Sequence, residues 1–202
     1  MKLKFCGLMR EQDICFANAI RPDYIGFVFA DSRRRVSDRK ADCLRAQLMP
    51  GIQVVGVFVN DAPEHIAALA NSGVIDLVQL HGGEDAAYIE RLRRLTAAPV
   101  IYAIHVEGWR DIERAKGYPV EYLLLDSRTK DAYGGSGKTF DWTLIRQMEK
   151  PYFLAGGLNE QNIPRAMRTG AYALDLSSGI ETDGVKDETK MRRVAALVRG
   201  GQ

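Results

Sequence analysis

Residues 122–126, Tyr122-Leu123-Leu124-Leu125-Asp126, followed by Ser127 to Thr139 and then Phe140-Asp141-Trp142, decide how the rest of the chain is read. Three consecutive leucines suit a parallel strand covered on both faces, because such strands lose the apolar–polar alternation of half-exposed ones. The run ends on a carboxylate, Asp126, at the strand end where α/β folds keep their chemistry. The loop behind it holds Gly134, Gly135 and Gly137 beside Lys138 and Thr139. A P-loop would need glycine at position 132, where Ala132 stands, so this loop reads as a glycine-hinged lid and not as a nucleotide cradle.

Outward from that strand the same unit recurs. Strand patterns cover 2–6, 24–29, 53–59, 76–80, 99–104, 122–126, 152–155 and 173–177. Helical patterns cover 10–19, 38–48, 63–72, 84–95, 109–116, 141–148, 162–168 and 187–198. Strict alternation of eight strands with eight helices predicts an α/β fold, a single (β/α)₈ barrel. One domain over residues 1–202 is expected, close to the minimum of about 200 residues for such a barrel. An open doubly wound sheet would want a G-x-G-x-x-G after its first strand, and none is well placed here.

Composition narrows the function. The chain is 46% hydrophobic and 27% charged with a formal net charge of +2, so no polyanion partner is implied. The densest basic run, Arg33-Arg34-Arg35, is too short to form a nucleic-acid groove. No apolar run approaches the roughly 18–20 residues of a membrane span, and the N-terminus lacks a signal-peptide core. Cys6, Cys15 and Cys43 sit at unrelated spacings, which argues for reduced thiols and a cytoplasmic setting.

Period-two arithmetic then places side chains. Lys4 and Cys6 share a face of the first strand, Gln79 and His81 of the fourth, Tyr122, Leu124 and Asp126 of the sixth, Asp175 and Ser177 of the eighth. Cys6, His81, Asp126 and Asp175 are therefore expected to converge in the barrel mouth, His81 and Asp175 as substrate-binding groups. His81 and His105 end neighbouring strands, but without a third histidine or an H-x-H pair no metal is implied. Ala155-Gly156-Gly157 after the seventh strand and Ser177-Ser178-Gly179 after the eighth fit the loop pair that cradles phosphate in barrels. Gly156, Gly157, Ser178 and Gly179 are the expected phosphate-binding residues.

Together these stretches resemble the phosphoribosylanthranilate isomerase family of tryptophan biosynthesis. The resemblance is carried by Lys4-Phe5-Cys6-Gly7-Leu8, Gly26-Phe27-Val28-Phe29, Ser32 through Val36, Val55 through Asn60 and Val78-Gln79-Leu80-His81-Gly82. It continues in Leu124-Leu125-Asp126, Gly134 to Trp142, Ala155-Gly156-Gly157-Leu158, Asp175 to Gly179 and Lys186-Asp187. Arg33, Glu160 and Phe5 depart from the family pattern without touching a catalytic position.

The resemblance implies an Amadori rearrangement of N-(5-phosphoribosyl)anthranilate to 1-(o-carboxyphenylamino)-1-deoxyribulose 5-phosphate, with no cofactor. It makes Cys6 the general base and Asp126 the general acid, and sets Arg34 against the anthranilate carboxylate, with Arg33, which replaces the family's proline, and Arg35 as alternatives for that contact. Asp126 should then have a raised pKa and Cys6 a lowered one, with Lys4 assisting the thiolate. The expected partner is a phosphosugar substrate, with no nucleic acid and no membrane, the chain being a monomer or homodimer. A sister isomerase of histidine biosynthesis would carry an aspartate in place of Cys6. A non-catalytic phosphosugar-binding barrel need not keep Cys6 and Asp126 together.

Overall fold

The structure, a computed structural model, describes residues 1–127, 139–146 and 148–200. Strands β1 (Lys2–Cys6), β2 (Tyr24–Val28), β3 (Gln53–Phe58), β4 (Leu77–Leu80), β5 (Val100–His105), β6 (Tyr122–Asp126), β7 (Tyr152–Leu154) and β8 (Ala173–Leu176) follow one another around a closed barrel. All neighbouring pairs are parallel, and β8 returns to β1 with Lys4 opposite Asp175. Helices α1 (Glu11–Ile20), α2 (Asp38–Ala46), α3 (Pro63–Asn71), α4 (Ala86–Leu95) and α5 (Trp109–Lys116) fill the first five crossovers. After β7 comes a short α6 (Ile163–Ala166), and α7 (Glu188–Gly200) closes the chain.

Local chemistry explains where these helices start. Ser37 accepts the Lys40 N–H ahead of α2, Asp85 accepts the Tyr88 N–H ahead of α4, and Pro63 opens α3 where its missing N–H costs nothing. No helix among the described residues is long and apolar enough to cross a membrane.

Strand alternation divides the apolar residues into two cores. Leu3, Phe5, Ile25, Phe27, Val54, Val78, Leu123 and Leu125 point outward and are buried beneath the helices. Tyr24, Val55, Leu77, Ile101, Leu124, Phe153 and Ala173 point inward and fill the barrel. Tyr24, Tyr122, Phe153 and Tyr172 meet edge-on or tilted, with centroids 5.3–5.8 Å apart, and plug its N-terminal half. The interior is thus solid up to the level of Lys4, and polar side chains occupy the layers above it.

Two features differ from the sequence reading. Over 141–148, where a helix is expected, the described residues form only a 3₁₀ turn, Trp142–Leu144. Asp141 accepts the Thr143 N–H, Trp142 is buried, and Leu144, Ile145 and Met148 also reach the core. Apolar residues that all find the core from an irregular segment do not need a helix to do so. The expected lid, with Gly134, Gly135, Gly137 and Lys138, falls in residues 128–138 and lies outside the described residues.

The second difference is a small hairpin ahead of α7, made of β9 (Glu181–Thr182) and β10 (Val185–Lys186). Its turn is Asp183-Gly184, both left-handed at φ 51° and 80°, the conformation that two-residue hairpins require.

Candidate active site

The polar layers of the barrel form one connected chain of side chains. Lys4 is fully buried, and its Nζ donates to Asp175 Oδ2 at 2.7 Å and to Gln79 Oε1 at 2.9 Å. Gln79, 1% exposed, has its Nε2 2.8 Å from His81 Nδ1. His81 Nε2 lies 3.3 Å from Asp126 Oδ2. Strands β8, β1, β4 and β6 are thereby tied together across the barrel. A buried ion pair such as Lys4–Asp175 adds little over an apolar pair, but removing one partner typically costs about 3–5 kcal/mol. The second oxygen of Asp175, Oδ1, is buried with no hydrogen-bond partner and can accept a hydroxyl from a ligand.

Cys6 ends β1 directly above Lys4 on the same interior face. Gly26 is its register partner, and a Cβ there would stand 2.7 Å from the sulfur, so β2 leaves room for the thiol only because that residue is glycine. Burial pushes the Cys6 thiol above its ordinary value, and Asp175 pushes the same way; Lys4 and Lys186 pull it down without winning. This reverses the expected direction. The physical reason is the burial of the thiol, and the two cations that oppose it are themselves matched, Lys4 by Asp175 and Lys186 by Glu181.

Asp126 also departs from expectation. Burial raises its pKa, but the hydrogen bond from His81, the Ser127 N–H and the His105 ring outweigh it, and the carboxyl is held below its ordinary value. The ligand-free site therefore rests with a thiol at Cys6 and a carboxylate at Asp126.

Arg34, 7% exposed, is gripped by Glu181. Its Nε donates to Oε1 and its Nη2 to Oε2, both at 2.7 Å. Lys186 Nζ donates to Glu181 Oε1 at 2.6 Å and to the Ser177 carbonyl at 3.0 Å. Arg33 reaches Glu181 at 3.2 Å from a largely exposed position. Glu181 stays ionised although burial opposes it, because Arg34 and Lys186 hold its carboxyl below the usual range. Of the arginine's five N–H donors this leaves three for a ligand, the Nη1 pair and the second on Nη2. Gly7, left-handed at φ 78°, lies beneath the guanidinium stem, where a Cβ would come within 2.4 Å of Arg34 Cδ.

The two glycine loops meet beside these groups. Gly156 and Gly157 are left-handed at φ 81° and 65°. A Cβ on Gly156 would lie 2.1 Å from Ser127 Oγ and 2.6 Å from Asp126 Oδ1, so this glycine also sets the space around the carboxylate. Asn162 and Asn159 tie back the Gly157 carbonyl at 2.9 and 3.2 Å. Ser178–Ile180 is a 3₁₀ turn whose leading N–H groups lack a partner within the turn. Gly179 touches the loop after β7, where a Cβ would come within 1.9 Å of the Leu158 carbonyl oxygen.

Cys6, Arg34, His81, Asp126, Asp175 and the loops of Gly156-Gly157 and Ser178-Gly179 thus lie at the C-terminal end of the barrel. His81 and Asp126 are in contact, Asp175 reaches the chain through Lys4, and Arg34 lies next to Gly7, beside Cys6. His105 Nε2 faces Glu107 at 3.4 Å. Among the described residues no group of three His, Cys, Asp or Glu side chains is arranged to hold a metal ion. Sequence reasoning missed Glu181 and Lys186 as members of the site. Asp183-Gly184 was the available signal, since a two-residue hairpin turn would have placed both on paired strands.

Fold and site together define a (β/α)₈-barrel protein with titratable side chains, a paired arginine and two glycine loops around one mouth. The family model for N-(5'phosphoribosyl)anthranilate (PRA) isomerase matches residues 3–196, and the chain belongs to that family. An N-(5'-phosphoribosyl)anthranilate isomerase of Endomicrobium trichonymphae is 45% identical over 199 residues, covering 98% of each chain. Among solved structures, phosphoribosyl anthranilate isomerase from Thermotoga maritima superposes with a TM-score of 0.90 at 37% identity, over 99% of both chains. A phosphoribosyl anthranilate isomerase in complex with reduced 1-(o-carboxyphenylamino)-1-deoxyribulose 5-phosphate superposes with a TM-score of 0.84 at 33% identity, again over 99% of each.

Proposed function

We propose that this chain converts N-(5'-phosphoribosyl)anthranilate to 1-(o-carboxyphenylamino)-1-deoxyribulose 5-phosphate, with Asp126 as general acid and Cys6 as general base. The observation that carries the assignment is the side-chain chain Asp175–Lys4–Gln79–His81–Asp126, which binds the strand of Cys6 to the strand of Asp126 across one mouth.

Asp126 gives its proton to the ribose ring oxygen, the C1′–O bond breaks, and an open-chain Schiff base forms. Cys6 as thiolate takes the C2′ proton, and the electron pair moves to give an enolamine. Tautomerisation places a proton on C1′ and releases the one on the 2′ oxygen, leaving the ketone. Arg34 receives the anthranilate carboxylate on its remaining donors, and the loops of Gly156-Gly157 and Ser178-Gly179 receive the phosphate. Asp175 Oδ1 and His81 contact the sugar. Holding both ends stretches the substrate between acid and base, which supplies orientation.

The working protonation state, acid at Asp126 and thiolate at Cys6, has the same proton count as the resting carboxylate and thiol. It is reached by redistributing one proton within the site, so the two groups titrate as a pair. The test is turnover by the purified chain, followed by loss of substrate fluorescence, with the aminoimidazole aminoaldose phosphate of histidine biosynthesis run in parallel. Turnover of the anthranilate compound supports the proposal, and turnover of the imidazole compound alone removes it.

A further inference from the structure

Gln79 is 1% exposed, and no proton transfer of the proposed reaction runs through it. Its two amide ends face partners with fixed roles. A lysine ammonium has three donors and no acceptor, so the end of the amide 2.9 Å from Lys4 Nζ must be the oxygen. Lys4 remains cationic in this setting: burial works against its charge, but the Asp175 carboxylate 2.7 Å away holds it. The opposite end of the amide is then NH₂, which only donates, and it stands 2.8 Å from His81 Nδ1. That nitrogen must accept, so it carries no proton, and the ring proton sits on Nε2, which faces Asp126 Oδ2 at 3.3 Å. Turning the amide over would set NH₂ against the ammonium and leave two buried groups opposed.

We infer that Gln79 is a positioning residue that fixes His81 as the neutral tautomer with its proton on Nε2, aimed at Asp126. Direction is transmitted along the chain from Asp175, which matches the charge of Lys4, to Lys4, which orients the amide, to the imidazole. The consequence for catalysis rests on the reading of Asp126 as the acid. A neutral N–H donor steadies the carboxylate left after proton transfer. A doubly protonated ring would hold Asp126 as a carboxylate and deny it the proton it must give.

The experiment uses the ¹⁵N-labelled full chain and reads the histidine ring nitrogens by long-range ¹⁵N–¹H correlation, with His81 assigned from a His81→Asn variant. At pH 7 the wild type should show an unprotonated Nδ1 and a protonated Nε2. A ring protonated on Nδ1, alone or with Nε2, overturns the inference. Gln79→Glu keeps the shape but replaces the NH₂ donor by a carboxylate oxygen, which accepts a proton from Nδ1, so the ring should become doubly protonated at pH 7. The same tautomer in folded Gln79→Glu as in wild type also overturns it. If Gln79→Glu does not fold, Gln79→Met replaces it and should show loss of the single Nε2-protonated form; retention of that form overturns the inference. With the ring charged, kcat should fall by about 10²-fold or more, the ordinary contribution of a general acid, with KM little changed. A charged ring with normal kcat would sustain the role of Gln79 and instead remove Asp126 as the acid.

Discussion

Gly156→Ala is the substitution whose outcome the geometry constrains most tightly. The added Cβ would stand 2.4 Å from the Ser127 amide nitrogen and 2.6 Å from Asp126 Oδ1, where ordinary contact begins at 3.4 Å. The shortfall is 1.0 Å to the backbone and 0.8 Å to the carboxylate, so the end of β6 has to shift by about that much. A misplacement of about 1 Å at a reacting group can cost roughly 10²-fold in rate. The residue is also left-handed at φ 81°, which for a residue with a Cβ costs about 1–2 kcal/mol. Gly170 isolates that second effect: it is left-handed at φ 77° with nothing within 4 Å of a Cβ. Both alanine variants should therefore lose stability, each kcal/mol lowering Tm by about 2–4 °C in a chain of this size. Only Gly156→Ala should lose kcat, by about 10²-fold. Thermal melts by circular dichroism and the fluorescence turnover assay decide. Equal kcat in the two variants would refute the claim that Gly156 sets the position of Asp126.

Three further outcomes follow from the same site and its surroundings. Arg34→Ala should chiefly raise KM, since it removes the carboxylate anchor and not a proton-transfer group; an unchanged KM in steady-state kinetics removes Arg34 from the site. The pH profile of kcat/KM should be a broad plateau, its acid limb below the ordinary carboxylate value of about 3.9 and its alkaline limb above the ordinary thiol value of about 8.5. Limbs displaced inward from both values would contradict the resting state described above. Away from the site, His65 lies between Asp61 at 2.8 Å and Asp38 at 3.1 Å; burial lowers its pKa, but the two carboxylates raise it further. A raised folded-state pKa makes the stabilisation complete below the unfolded value of about 6.5 and lost as pH rises through the higher folded value. Urea midpoints of wild type and His65→Gln should differ at pH 5.5 and converge at pH 9, and equal midpoints at pH 5.5 would dismiss the clamp.

Most of the barrel was legible because its signals are local. The unbroken Leu123-Leu124-Leu125 run and the alternation of helix and strand patterns demand a closed parallel sheet, and period-two arithmetic placed Lys4, Cys6, His81, Asp126 and Asp175 on the interior. The segment 141–148 misled because its apolar residues bury themselves from an irregular path, and periodicity cannot tell that from a helical face. The two pKa directions were out of reach for a different reason. That of Cys6 depends on burial and on cations matched elsewhere, Lys4 by Asp175 and Lys186 by Glu181, and that of Asp126 on His81 reaching it from the end of β4. Arg34 could be selected from the sequence, but its grip by Glu181 could not, because the short hairpin that carries Glu181 has too few residues to show a pattern.

The central claim, that Asp126 and Cys6 act as an acid–base pair, is tested most directly by kcat of Asp126→Asn with N-(5'-phosphoribosyl)anthranilate. The variant keeps the shape and the His81 contact while removing the transferable proton. It should bind the reduced deoxyribulose 5-phosphate product analogue as wild type does and lose about 10²–10⁴-fold in kcat. Turnover near the wild-type rate would contradict the account.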